Sequence, residues 1–241
     1  MEVFSVVSQV FGARSTVVVA DDSSCVVVDA GVGVSTEVVA HVEARGLRPV
    51  AVLATHGHVD HTWDAAELTR RLDVPLHVHA ADEHRLHDPF GTLGSIGGPA
   101  SHDVGGPLAQ AIAASGVDPR AYELPARVET FGTVQGRDAD VVLELGGLVV
   151  VARHAPGHTE GSTLYLVEID GDPVAFTGDV LFAGTIGRTD LPGGDDEVMA
   201  RTLDEVVAAL DPATLVVPGH GPTSDMATEL RRNPYLAHRP R

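Results

Sequence analysis

Seven consecutive residues, Thr55-His56-Gly57-His58-Val59-Asp60-His61, place three imidazoles and a carboxylate directly after the apolar run 50–54. Any fold for this chain must end a buried strand there and release a turn dense in metal-ligand side chains. An extended backbone aims His56 and His58 the same way, because residues two apart share a face. Asp60 and His61 then open the next helix, where a carboxylate also suits the unpaired amides of a first turn. The residue types call for a catalytic metal rather than a polar surface turn. Seven residues cannot surround two cations, so further ligands must come from elsewhere.

The rest of the chain offers them at the same kind of place. Short β-branched runs alternate with segments rich in Ala, Leu and Glu, the pattern of βα units. Strands are expected over 3–7, 15–20, 24–29, 50–54, 76–79, 141–145, 148–152, 162–167, 173–177 and 214–217. Helices are expected over 35–45, 61–72, 80–86, 195–210 and 223–232, with Ser35 as N-cap and Gly46 as C-cap of the first. His158 lies in the Pro156-Gly157 turn after one strand, Asp179 follows another, and His220 follows Pro218-Gly219 after a third. Four strand ends thus each deliver a ligand-type residue, with Gly or Pro beside it to permit the turn. His154 is a candidate for the site's edge. His41, His77, His79, His84, His87, His102 and His238 are read as ordinary surface or core histidines. The segment 87–135 breaks the pattern, holds one weak helical stretch at 108–115, and reads as an irregular insertion and possible lid.

Composition narrows the partners. At 241 residues and 44% hydrophobic the chain can bury a full core as a single domain over 1–241. All sixteen basic residues are Arg, set against 34 acidic ones for a net charge of -18. That balance opposes nucleic acid and anionic membranes as partners. No apolar run approaches the roughly 18 residues of a membrane span. The first residues lack a basic start and a small-residue cleavage site, so a cytoplasmic location is expected. Cys25, the single cysteine, has no partner for an intramolecular disulfide and sits in an apolar stretch, which reads as a buried small side chain. Neither an activated cysteine nor a Gly-x-Ser-x-Gly elbow is present, so no protein nucleophile is evident.

The order His56-x-His58-x-Asp60-His61, His158, Asp179, His220 resembles the metallo-β-lactamase superfamily. Asp29-Ala30-Gly31, the run 156–162, 176–179, Leu181-Phe182, 187–190 and 218–221 look like its glyoxalase II branch, the hydroxyacylglutathione hydrolases of short bacterial type. The resemblance implies an α/β fold, an αββα sandwich of two mixed sheets flanked by helices, with the chain halves before and after about residue 135 as its repeats. It also implies a dinuclear site: His56, His58 and His158 on the first metal, Asp60, His61 and His220 on the second, and Asp179 bridging. Zinc suits such ligands, as do iron and manganese. Between two divalent cations ~3.5–4 Å apart, water becomes a hydroxide nucleophile, and Asp60 could pass its proton to the leaving group. The implied substrate is a small-molecule thioester, contacted by Arg188, with Asp29 orienting ligands from behind. Members of the branch that bind glutathione use basic residues, several of them Lys, in a C-terminal helical extension; here Lys is absent and the corresponding run is a short helix with Arg231-Arg232-Asn233-Pro234-Tyr235-Leu236, which leaves the carrier thiol open. Other chemistries of the same fold are a single-iron persulfide dioxygenase, a lactonase or a β-lactamase. The oligomeric state is not encoded in any motif.

Overall fold

The computed structural model describes residues 2–91, 107–136 and 138–236. Two six-stranded mixed sheets face each other, with helices on their outer faces, in an αββα sandwich. The first sheet is β1 (Glu2–Val7), β2 (Arg14–Val19), β3 (Ser24–Val28), β4 (Arg48–Leu53), β5 (Leu76–His79) and β6 (Val128–Phe131), in that spatial order. Its first three strands are antiparallel and the rest run parallel. The second sheet contains β7 (Val141–Leu145), β8 (Leu148–His154), β9 (Thr163–Ile169), β10 (Asp172–Gly178), β13 (Leu215–Pro218) and β14 (Ser224–Asp225). Its spatial order is β14-β13-β10-β9-β8-β7, with β10 and β13 parallel. A two-stranded ribbon joins β11 (Leu181–Phe182) to β12 (Thr185–Ile186). The chain halves on either side of about residue 135 therefore form one sheet each.

The continuous Val runs follow from burial on both faces, since successive strand residues point to opposite sides. Val26 and Val28 enter the core between the sheets with Leu53, Val150, Tyr165 and Phe176. Cys25 and Val27 of the same strand point outward, against Val38, Val39, Val42 and Leu68 of the covering helices. Cys25 is fully buried, and burial pushes its thiol up to about 11. Behind the second sheet, Ala175 and Val216 pack on Met199, Leu203 and Val206.

Several expected elements are redrawn. The expected helix 61–72 is two pieces, Val59–Thr62 and Ala65–Leu72. The break frees Asp64 to accept from the amides of Gly33 (3.1 Å) and Ser35 (2.7 Å). Asp64 therefore serves the start of helix Ser35–Ala44, and Ser35 is its first residue rather than its cap, the N-cap position being Val34. The expected helix 195–210 is α-helical over Asp196–Thr202 and turns π-helical over Leu203–Val207. The expected irregular insertion holds helix Pro107–Ala114 and the strand β6, which pairs in parallel with β5 along the sheet edge. A four-residue edge strand with one neighbour, in which only Val128 and Phe131 reach the cores, leaves little hydrophobic signal for pattern reading. Within the expected lid 87–135, the stretch 92–106 lies outside the described residues, as do His102 and His238. None of the described helices is long and apolar enough to cross a membrane.

Candidate metal centre

The ends of β4, β8, β10 and β13 meet. Their meeting is fixed by bonds between the sheets: the Thr163 amide donates to the Thr55 carbonyl (2.9 Å), and the Tyr165 hydroxyl to the Ala54 carbonyl (3.0 Å). The Gly219 amide donates to the Gly178 carbonyl (2.9 Å), and the Arg14 amide to the Gly219 carbonyl (2.7 Å). Gly219 is required for space rather than for its turn. A Cβ there would stand 2.6 Å from both Asp179 Oδ1 and His61 Cε1.

All seven side chains singled out by the sequence converge. His56, His58 and His158 form one group, Asp60, His61 and His220 a second, and within each group the candidate ligand atoms lie within 4.8 Å of one another. Asp179 stands between them, with Oδ1 3.4 Å from His61 Nε2 and 3.6 Å from His220 Nε2, and Oδ2 3.6 Å from His158 Nε2. Asp60 Oδ2 is 3.4 Å from His220 Nε2.

Hydrogen bonds on the far side of the rings decide which nitrogens face inward. His158 Nδ1 donates to the Arg188 carbonyl (2.7 Å), and His220 Nδ1 to the Phe11 carbonyl (3.0 Å). His61 Nδ1 is 2.9 Å from Asp29 Oδ2. The Thr55 hydroxyl donates to Asp29 (2.9 Å) and so accepts from His56 Nδ1 (3.1 Å). Each of these rings therefore turns its Nε2 toward the centre, as a bare lone pair in His56 and His158, which burial keeps neutral. His56 Nε2 and His158 Nε2 then lie 3.0 and 2.9 Å from His58 Nδ1, and His61 Nε2 lies 3.1 Å from His220 Nε2. Facing lone pairs at such distances repel unless a proton or a cation sits among them. Asp179 Oδ1 is buried without a hydrogen-bond partner. Imidazole nitrogens and carboxylate oxygens in this array fit a pair of divalent cations.

The two groups differ in their electrostatics. Burial, reinforced by neighbouring imidazoles, pushes His56 and His58 well below the ordinary value, and burial lowers His158 despite Asp179. Burial works the same way on His61 and His220, but there Asp60 and Asp179 outweigh it and hold both above the ordinary value. Burial would raise Asp60, yet His61, His220 and His58 keep its carboxyl far below the usual range.

The centre forms the floor of an open cleft of about 470 Å³. Its walls include Phe11, Leu108, Phe182 and Leu191, with Arg188 as the one arginine among the described lining residues. Arg188 is exposed and held by Asp190 through a two-pronged contact of 2.6 and 2.7 Å. Two larger concavities, of about 550 and 560 Å³, touch none of the seven residues. His154 lines the former, stacked on His79 at 4.1 Å and donating to the Glu160 carbonyl, so it belongs beside the centre's supports rather than at its rim. Pattern reading missed Phe11. Its backbone is left-handed (φ 59°), its ring lines the cleft and its carbonyl orients His220; the Phe11-Gly12 pair between two strands is the only local signal.

A family model of the metallo-beta-lactamase superfamily matches residues 10–220. The chain belongs to that superfamily. It is 34% identical over 215 residues to the probable metallo-hydrolase YqgX of Bacillus subtilis, covering 89% of this chain and 88% of that protein. It is 29% identical over 216 residues to the hydroxyacylglutathione hydrolase GloC of Haemophilus influenzae, covering 90% and 89%. Among solved structures, TTHA1623 in a di-iron-bound form superimposes with a TM-score of 0.72 at 28% identity, over 97% of this chain and all of that one.

Proposed function

We propose that the chain is a dinuclear metallohydrolase that cleaves an acyl thioester. The observation that carries this reading is the convergence of seven ligand-type side chains on the floor of an open, largely apolar cleft. In this reading His56, His58 and His158 hold one cation, Asp60, His61 and His220 the other, and Asp179 joins them. When bound, two such cations supply an acidified water and a Lewis acid for the acyl carbonyl. Zinc is the metal favoured by the ligand chemistry, and iron has a precedent in the di-iron neighbour.

The chain's own contributions follow from its geometry. Asp60 faces the centre with a carboxylate that remains charged, so it can accept the attacking water's proton only transiently and pass it to the leaving group. A thiolate leaves with little acid assistance, which suits a site whose proton carrier is an ionised carboxylate. Phe11, Phe182 and Leu191 offer a surface for the acyl or carrier chain, and Arg188 offers two donors for a substrate carboxylate once Asp190 yields them. The name of the Haemophilus relative supports hydroxyacyl-glutathione as the first substrate to try.

The test is free-thiol release from S-lactoylglutathione by metal-loaded protein, with oxygen uptake on glutathione persulfide followed in the same preparation. Thiol release without oxygen uptake is expected. Oxygen uptake without hydrolysis overturns the hydrolase in favour of the single-iron dioxygenase, and silence on both substrates overturns the glutathione thioester.

A further inference from the structure

Behind the three-histidine group lies a carboxylate that touches no candidate ligand. Asp82 is fully buried, just past β5, and all its acceptor capacity is used. Oδ2 accepts from the Gly57 amide (2.8 Å) and the Thr159 hydroxyl (2.7 Å). Oδ1 accepts from the Gly161 amide (2.8 Å) and from Arg85 Nε (3.3 Å). Gly57 is the residue between His56 and His58, while Thr159 and Gly161 follow His158. One carboxylate therefore grips both backbone turns that carry the three-histidine group, although those turns come from different sheets.

The packing shows that the grip is built in. A Cβ on Gly57 would stand 2.8 Å from the Asp82 carbonyl and from Arg85 Cβ, and one on Gly161 would stand 2.7 Å from Asp82 Cγ. Both positions are glycine because the Asp82–Arg85 pair occupies the space. Arg85 is itself buried, pairs with Asp82 and Glu160, and donates to the Pro192 carbonyl (3.2 Å). An isolated buried carboxylate would be costly; the guanidinium and three further donors offset that cost. The other group has a different arrangement: Asp29 accepts from the Thr55 amide (2.7 Å) and binds the His61 ring directly.

We propose that Asp82, backed by Arg85, is the positioning residue of the three-histidine half, fixing the spacing of His56, His58 and His158 through their backbone turns, as Asp29 fixes His61 in the other half. The proposal rests on the metal assignment above and not on the substrate, so a failed thioester assay leaves it untouched. Replacing Asp82 by Asn keeps the shape but turns one twice-used acceptor oxygen into a donor facing donors.

The test compares wild type, Asp82→Asn and Asp29→Asn. In metal-free protein, amide exchange is read by NMR at Gly57, Gly161 and Thr55. In cadmium-loaded protein, the two cadmium resonances are assigned through their imidazole nitrogens and followed against a competing chelator. Asp82→Asn is expected to speed exchange at Gly57 and Gly161 but not at Thr55, and to weaken cadmium in the three-histidine half 10- to 100-fold while the other half changes less than about threefold. Asp29→Asn is expected to speed exchange at Thr55 but not at Gly57 or Gly161, and to weaken cadmium most in the half holding His61, with a smaller loss in the three-histidine half through the Thr55 hydroxyl that links Asp29 to His56. Equal loss from both halves, or unchanged cadmium affinity in Asp82→Asn, overturns the proposal. If Asp82→Asn does not fold, Thr159→Val removes one donor from the same oxygen; a smaller loss confined to the three-histidine half supports the proposal, and none overturns it.

Discussion

The two halves of the centre solve the same problem with opposite electrostatics. The half made by His56, His58 and His158 contains no carboxylate of its own beyond the shared Asp179, and burial keeps its imidazoles below their ordinary value. The half made by Asp60, His61 and His220 is crowded with carboxylates, which hold its imidazoles above that value. One half therefore presents neutral lone pairs ready for a cation, and the other must first shed protons. In the first half the ring nitrogens of His56 and His158 lean on neutral partners, the Thr55 hydroxyl and the Arg188 carbonyl, and the carboxylate proposed to position it, Asp82, acts through the backbone turns. A histidine facing carboxylates is steered by direct contact through its own ring.

The largest effect expected is from removing the residue common to both halves. Asp179→Ala should lose most bound metal and at least about 10²-fold in rate while circular dichroism stays that of the folded chain. Full metal and full rate in this variant would show that the halves do not share it. His58→Asn against His220→Asn should each remove about one equivalent of metal by elemental analysis, and loss of both equivalents in either would make the halves one cooperative unit.

A pH series sharpens the contrast. With His61 and His220 raised, a cation entering their half displaces protons, so affinity there falls as pH drops through those raised values, beginning above the ordinary imidazole value of ~6.5. With His56, His58 and His158 lowered, affinity in the other half holds until pH falls below that value. Metal content measured at stepwise lower pH should therefore show the carboxylate-rich half emptying first, and simultaneous loss would refute the difference.

Smaller effects belong to the cleft wall. Phe11→Ala removes the ring but keeps the carbonyl that orients His220, so KM should rise up to about tenfold with metal content unchanged. Lost metal would instead mean that the ring itself holds the loop in its left-handed turn. Asp190→Asn frees Arg188 and should leave Tm unchanged, because the pair is exposed. A changed KM only for substrates bearing a carboxylate would mark Arg188 as their contact.

Local sequence carried the strands and the ligand-type residues with little loss. Strands such as β3 and β10 are apolar runs bounded by Gly and Asp, and that pattern does not depend on neighbours. His56, His58, Asp60 and His61 sit within one turn, so their convergence is a local matter, and Asp29 could be singled out because it ends a strand beside Ala30-Gly31. What was illegible depended on distant partners. The helix break before Asp64 exists because Gly33 and Ser35 need an acceptor, and β6 exists because β5 offers an edge.

The sequence by itself determined that strand ends would offer imidazoles and carboxylates, because backbone periodicity and residue type are properties of the chain. Only the tertiary structure decided that Gly57 and Gly161 are glycines to admit Asp82, that Phe11 aims His220, and that one half of the centre is neutral and the other acidic. Those outcomes depend on which strand ends meet and at what distance, and hydrogen bonding and charge coupling act through space rather than along the chain.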